Sequence, residues 1–552
     1  MQPIFRKLRR FLIPVLALMP IAVGAATPEP LPGPLLQGLG SLQHPVTTRS
    51  DLAQQYFDQG LRLLYAFNHR EAARAFRSAA HLDPDCAMAH WGVAYAHGPH
   101  VNRPMDPDDT AAAWAALQAA RAKAAGVSGR EQAYIRTLGA RYQEQHVEDR
   151  SDLDRAFAGA MRELTRDYPD DLDARVLFAE SLMNTIPWDY WTRDRTPRPE
   201  TDEILAALRL VIARQPDHPG ANHFYIHAVE AGPNPEWGLP AADRLAGYAP
   251  AAGHLVHMPA HIYMRVGQYA DAVRSNQLAV QADRDYFRQC QSMGFYPGAY
   301  YPHNLHFQWW AEVFEGRRAS AIRLANEVAQ LARDNVCGPN KALEAPRLRH
   351  LPWLTLARFG DWDAVLAVAR PPATNDFLVD RALWHFTRGL AHAALGDPNA
   401  AAREHQELGR LASSDAAREL TTPAFPVADT LAVAEAWLAG RSAMAAGDTA
   451  SGLDHLRRAV VAEDAIAYME PTFWPLPVRP ALGAALLRAG DASAAEAVFR
   501  EDLHRWPRNG WALFGLEQSL QAQGNNESAA LVKRERLTAW ERADVTPQLE
   551  WY

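Results

Sequence analysis

Apolar residues recur along most of the chain at helical spacing, in runs that come in pairs joined by short polar turns. The stretch from Phe57 to Pro84, FDQGLRLLYAFNHREAARAFRSAAHLDP, shows the pattern at its clearest. Two amphipathic runs flank a turn at Asn68-His69, and Ala72, Ala73 and Ala75 let the second run lie close against the first. Asp83-Pro84 closes the unit, because proline cannot continue a helix. Strand-like alternation is nearly absent, so the pattern predicts an all-α chain of helix–turn–helix units.

Related units recur. VGQYADAV (266–273), EGRRASAI (315–322), LGDPNAAA (395–402) and AGDASAAEAVF (489–499) each carry glycine at the turn and small residues opening the second helix, and residues 509–534 form another pair. The grammar resembles the tetratricopeptide (TPR) repeat, a helix pair of about 34 residues. It predicts a TPR-type solenoid rather than an irregular bundle. Insertions follow Gly98 and Met183 and fall around 285–302 and 465–480; loops of this length in a compact array point to function beyond scaffolding. The expected division is a signal peptide at 1–26, a linker at 27–50, N-terminal helix pairs at 51–215, a central histidine-rich set at 216–370, C-terminal pairs at 371–545 and a tail at 546–552.

The N-terminus predicts export. Arg6, Lys7, Arg9 and Arg10 precede an apolar run from Phe11 to Gly24 that ends in Gly24-Ala25-Ala26, the small-residue pattern of a cleavage site. The competing expectation is an uncleaved anchor, which the short, proline-interrupted run argues against. Cleavage would take the formal charge from −8 to −12, an acidic balance that argues against nucleic acid as a partner. No later run is apolar enough to cross a bilayer, so the expected product is a periplasmic or secreted protein. Of the three cysteines, Cys290 and Cys337 are the expected disulfide pair.

Candidate chemistry is concentrated in one place. Five of the 21 histidines fall between His223 and His261, and His303 and His306 follow one repeat later. His223, His227 and Glu230 stand at i, i+4 and i+7, within a wedge of roughly 60° on one helix face. His254, His257 and His261 share a face if helical, although Pro259 demands either a helix start near Met258 or a kink. Registered on the turn glycines Gly267 and Gly316, His257 matches His306 and His254 matches His303, with His350 a weaker third match before Gly360. Stacked first helices in a TPR array line its concave groove, so these imidazoles are expected to converge there.

Neutral imidazole is the commonest ligand for zinc, copper and iron, and six or more from neighbouring helices suit one or two metal ions. His223, His227, His254, His257, His303 and His306 are the expected metal ligands, with Glu230 and His261 as catalytic acid–base groups. The competing expectation is a polar groove of hydrogen-bonded histidines that binds a peptide. There is no HExxH, Walker loop, GxGxxG or GxSxG to point elsewhere. Glu470 and Arg479, in a proline-rich segment, are expected to pair with each other for structural reasons.

HPGANHFYIHAVEAG (218–232), AGHLVHMPAHIYMRVGQYADAV (252–273) and YPHNLHF (301–307) resemble a family of bacterial TPR proteins without a settled activity, as do WGVAYAHGPHVNRPM (91–105), PWDYW (187–191) and WPLPVRPALGAALL (474–487). His100 stands where that pattern has asparagine, which makes Asn102 the firmer site residue. The resemblance implies the fold and a shared groove site, and no reaction. The leading expectation is an exported metal-dependent enzyme, oxidoreductase or hydrolase, that uses copper, zinc or iron on a small molecule or peptide in the groove. The alternatives are a non-catalytic scaffold for a peptide or protein partner in the cell envelope, and a metal storage or delivery protein.

Overall fold

The computed structural model describes residues 32–290, 295–333, 347–422 and 425–552. The signal run and Cys337, and with it the Cys290–Cys337 pairing, lie outside the described residues. The chain is an all-helical, TPR-type solenoid whose successive helices pack as antiparallel pairs, Asp51–Tyr65 on His69–Leu82 at one end and Gly510–Ala522 on Asn526–Ala539 at the other. Among the described residues, no helix is long and apolar enough to cross a membrane.

The turn grammar has a physical basis. Gly396, Gly447, Gly490 and Gly524 each end a first helix with φ between 78° and 87°, and the next residue caps the second helix. Asp397, Asp448, Asp491 and Asn525 accept from the backbone N–H of Ala400, Ser451, Ala494 and Ser528. The left-handed conformation stops one helix and the short polar side chain starts the other.

The central turns do a second job. Gly267, Gly316 and Gly360 share the positive φ, and residues of the C-terminal repeats lie directly against them: Pro507, Trp540 and Trp551. The C-terminal pairs therefore fold back onto the turns of the histidine-rich repeats. A Cβ on Gly267 would stand 2.2 Å from the carbonyl oxygen of Pro507, whereas one on Gly490 would meet nothing within 4 Å. Gly490→Ala is expected to cost only the left-handed strain, about 1–2 kcal/mol. Gly267→Ala adds overpacking of about 1–3 kcal/mol. Paired denaturant titrations check this; equal losses would mean that the C-terminal pairs do not press on the central turns.

Pro259 starts a new helix and so leaves a kink in an otherwise continuous run. Gly253–His257 and Pro259–Arg265 are joined through Met258, which keeps α-helical dihedrals (φ −50°, ψ −36°). At the N-terminal end, residues 33–48 run as an extended strap over the first helices. The amides of Leu42, His44 and Thr47 donate to Tyr248, Asp58 and Glu131.

Candidate metal centre

Four segments carry the histidines inward. His223 and His227 come from Pro219–Glu230, a helix buried on every side, which His218 caps by accepting from the N–H of Ala221. His254 and His257 precede the kink, His261 follows it, and His303 comes from Phe295–Phe314. All of these are buried except the half-buried His303.

The imidazoles fall into two groups of three. In His223, His227 and His254, one ring nitrogen from each lies within 4.8 Å of the others, and the same holds for His257, His261 and His303. Within the first group, Nε2 of His254 and of His223 are 3.2 Å apart. Within the second, Nε2 of His257 stands 2.8 Å from that of His261 and 3.1 Å from that of His303. The groups are neighbours, with ring centroids 5.6 Å apart for His227 and His261 and 5.9 Å for His254 and His257.

The proton positions follow from the partners behind the rings. Nδ1 of His223 donates to the carbonyl of Tyr65 at 2.6 Å. Nδ1 of His257 donates to Oδ1 of Asn276 at 2.7 Å, and the Asn276 amide is oriented by its own bond to the carbonyl of Ala272. Glu230 takes the other two: Oε1 accepts from Nδ1 of His227 at 2.8 Å and Oε2 from Nδ1 of His261 at 2.5 Å. With Nδ1 protonated in all four, Nε2 of each neutral ring presents its lone pair to the space between the rings.

Electrostatics keep four of the six rings neutral. Burial, followed by the neighbouring imidazoles, pushes His223, His254 and His303 well below the ordinary histidine value; burial and His261 do the same to His257. His261 behaves differently: burial pushes it down, but Glu230 and Glu470 outweigh burial and raise it to about 10. Burial pushes Glu230 up, and the imidazoles of His261 and His227 bring it below the usual carboxylate range. The 2.8 Å contact between His257 and His261 is therefore a hydrogen bond in which the protonated Nε2 of His261 donates to the Nε2 lone pair of His257.

Expected ligand His306 stands apart from both groups. Its ring stacks on Trp309 at 5.5 Å, on the groove wall near Arg347 and His350. Glu230 lies behind the rings with no exposure to the groove. Asn102 donates to the hydroxyl of Tyr300, whose ring packs 4.4 Å from that of His254, while His100 stacks on Phe67 and His69.

Glu470 and Phe67 are the residues that sequence reasoning misplaced or missed. Arg479 pairs with Asp464 at 2.7 and 2.8 Å, not with Glu470. Glu470 instead reaches the second group, with Oε2 3.3 Å from Nδ1 of His261 and the hydroxyl of Tyr468 donating to it. Phe67 occupies the turn position that glycine fills elsewhere, with φ 55°, and Asn68 follows as the cap. Its ring lies 4.5 Å from that of His223 and 5.5 Å from that of His254. A phenylalanine in a left-handed turn costs on the order of 1–3 kcal/mol, and such strain tends to gather at functional sites. The register itself carried that signal, since Phe67 breaks the glycine rule of the other turns.

The two groups face a groove of about 1390 Å³, which His227, His254, His261, His303 and Glu470 line. No family model matches the chain, and no curated protein matches it. Among solved structures, the chain is similar to a human IFIT1 dimer with m7Gppp-AAAA, at 12% identity over 90% of this chain and 91% of that one, TM-score 0.32. It is also similar to yeast Tom70, at 12% identity over 90% and 93%, TM-score 0.29. The TPR domain of P58(IPK) is a third, at 11% identity over 89% and 97%, TM-score 0.20. These are likenesses of fold alone.

Proposed function

We propose that the groove carries a two-metal centre, one ion per three-histidine group, and that the protein is an exported copper-dependent oxidase acting on a small molecule or peptide. The observation that carries the reading is the set of four Nδ1 donors tied back to fixed acceptors, which turns Nε2 of His223, His227, His257 and His261 toward common points. The donor set fits a bound cation. Nε2 of His227 and Nδ1 of His254 are buried without a hydrogen-bond partner, and the 2.8 Å Nε2–Nε2 contact holds a proton whose place a metal ion could take. An all-imidazole set without thiolate favours copper at the top of the divalent affinity order.

Bound copper would supply one-electron redox chemistry. The chain's own groups then divide the work. His261 acts as a ligand, Glu230 positions His261 and His227 from behind, and Phe67 and Tyr300 keep water away from the first group. Glu470 stands on the groove side of His261, where it can hold a proton at Oε2.

The repeat fold taken alone supports the non-catalytic scaffold better than it supports an enzyme, and a peptide or protein partner in the groove follows from that reading. A scaffold gives no role to six imidazoles whose ring nitrogens gather in two groups of three beside a groove, and that observation favours the metal centre. Elemental analysis of the full chain purified from its own compartment separates the two. About two equivalents of copper are expected. Less than about half an equivalent of any transition metal overturns the proposal in favour of the scaffold. Copper without oxygen consumption across a panel of phenols, amines and peptides leaves storage or delivery in its place.

A further inference from the structure

The second insertion forms a tight hairpin on the wall of the groove that both histidine groups line. Thr192 donates its N–H to the carbonyl of Thr196, and Arg195 donates its own to the carbonyl of Thr192, both at 2.9 Å. Arg195 holds φ 60°, in the left-handed region that costs a side-chain-bearing residue about 1–2 kcal/mol. The hairpin thus presents a half-buried arginine to the groove wall in a conformation that its backbone does not prefer.

The other arginines of this wall are occupied. Arg193 donates to the carbonyl of Ala465, and Arg479 pairs with Asp464. Arg505 pairs with Asp464 at 2.7 Å and reaches Glu501 at 3.5 Å. Arg265 donates to the carbonyl of Glu230 and lies over the ring of Tyr468, with its carbon Cζ 5.3 Å from the ring centroid. Among the described residues, the guanidinium of Arg195 has neither an ion pair nor a hydrogen bond. Burial and the like charges of Arg265 and Arg505 press its proton affinity down. A partly desolvated cation facing two others, with no anion of its own, is a net cost to the fold.

We infer that Arg195 binds a carboxylate of the groove's ligand, with the positive charge of Arg265 adding to the attraction, and so orients that ligand against the histidine groups. Arg265 follows His261 by four residues, one helical turn away, and Arg195, Arg265 and His261 line one groove. A guanidinium fork matches a planar carboxylate with two parallel hydrogen bonds. Tyr468, Met469 and Phe473 line the same stretch of groove and supply an apolar wall for the body of the ligand. The substrate class is therefore an organic acid with an apolar body, or a peptide bearing such a residue at its free C-terminus. The inference rests on the groove being a ligand site and assigns what that site selects.

Calorimetric titration of the full chain tests it, as purified and after chelator treatment. The probes are 3-phenylpropionate against its amide, and the tripeptide Ala-Ala-Phe as free acid against its C-terminal amide. At least one acid is expected to bind ten-fold or more tightly than its amide in both preparations. The stronger acid identifies the source. Arg195→Gly suits the left-handed turn better than arginine does and should keep the fold; it is expected to remove the acid preference while leaving metal content unchanged. Equal affinity of acid and amide, including no binding of either up to 10 mM, overturns the inference. So does an acid preference that survives Arg195→Gly, or one seen only before chelation, because the carboxylate would then be bound to the metal. Metal content is measured on the same samples, so a protein that lacks metal yet prefers acids refutes the metal centre and not this site.

Discussion

His257→Ala is expected to lower bound copper from about two equivalents to about one and to abolish oxygen-consuming activity. His257 is the hinge of the second group, because its Nε2 contacts both His261 and His303. Without it two imidazoles remain, and a pair of neutral ligands without a third holds a divalent ion at least about a hundred-fold more weakly. The first group has its own supports, at Tyr65 for His223 and Glu230 for His227, and should keep its ion. Stability changes by opposing amounts. Oδ1 of Asn276 loses its donor, at a cost of about 1–3 kcal/mol, while the crowding of Nε2 atoms is relieved. If the variant does not fold, His303→Ala at the half-buried edge provides the same measurement. Elemental analysis and electron paramagnetic resonance read the outcome. Two equivalents retained in both variants would refute the two-group assignment.

Glu230→Gln is expected to do more harm to the fold than any ligand change, and to weaken metal binding ten- to a hundred-fold. The carboxylate is fully buried and accepts from two Nδ1 groups at once. A glutamine of the same size has one acceptor oxygen and one donor nitrogen, so one of the two histidines would face a donor. That ring must flip or change tautomer, and its Nε2 then carries a proton where a ligand lone pair is needed. Removing one member of a buried charged set typically costs about 3–5 kcal/mol. Denaturant titration should show a loss of that order in metal-free protein, where metal linkage cannot contribute. A variant as stable as the parent, with unchanged copper affinity, would mean that Glu230 is not the element that orients His227 and His261.

Several features of this molecule were legible before any coordinates. Helix pairs follow from local periodicity, and the turns follow from glycine and an Asp or Asn cap, both of which act within a few residues. His223, His227 and Glu230 share a face because i, i+4 and i+7 must do so on any helix. The register of His254 on His303 and of His257 on His306 pointed to neighbouring first helices. His306 departs from that register, and its ring stacks on Trp309 of its own helix.

What only the tertiary structure decided are the contacts between residues far apart in the chain. Glu470 reaches His261 from more than two hundred residues away, while its expected partner Arg479 is taken by Asp464. The division of the central histidines falls between His254 and His257, which stand on the same short helix, and spacing alone cannot show it. Tyr65 and Asn276 select the imidazole tautomers from helices on either side. Local rules set which face each histidine occupies. Whether its lone pair meets a proton, a carboxylate or another lone pair depends on how the solenoid closes on itself, and that is decided by packing over the whole chain.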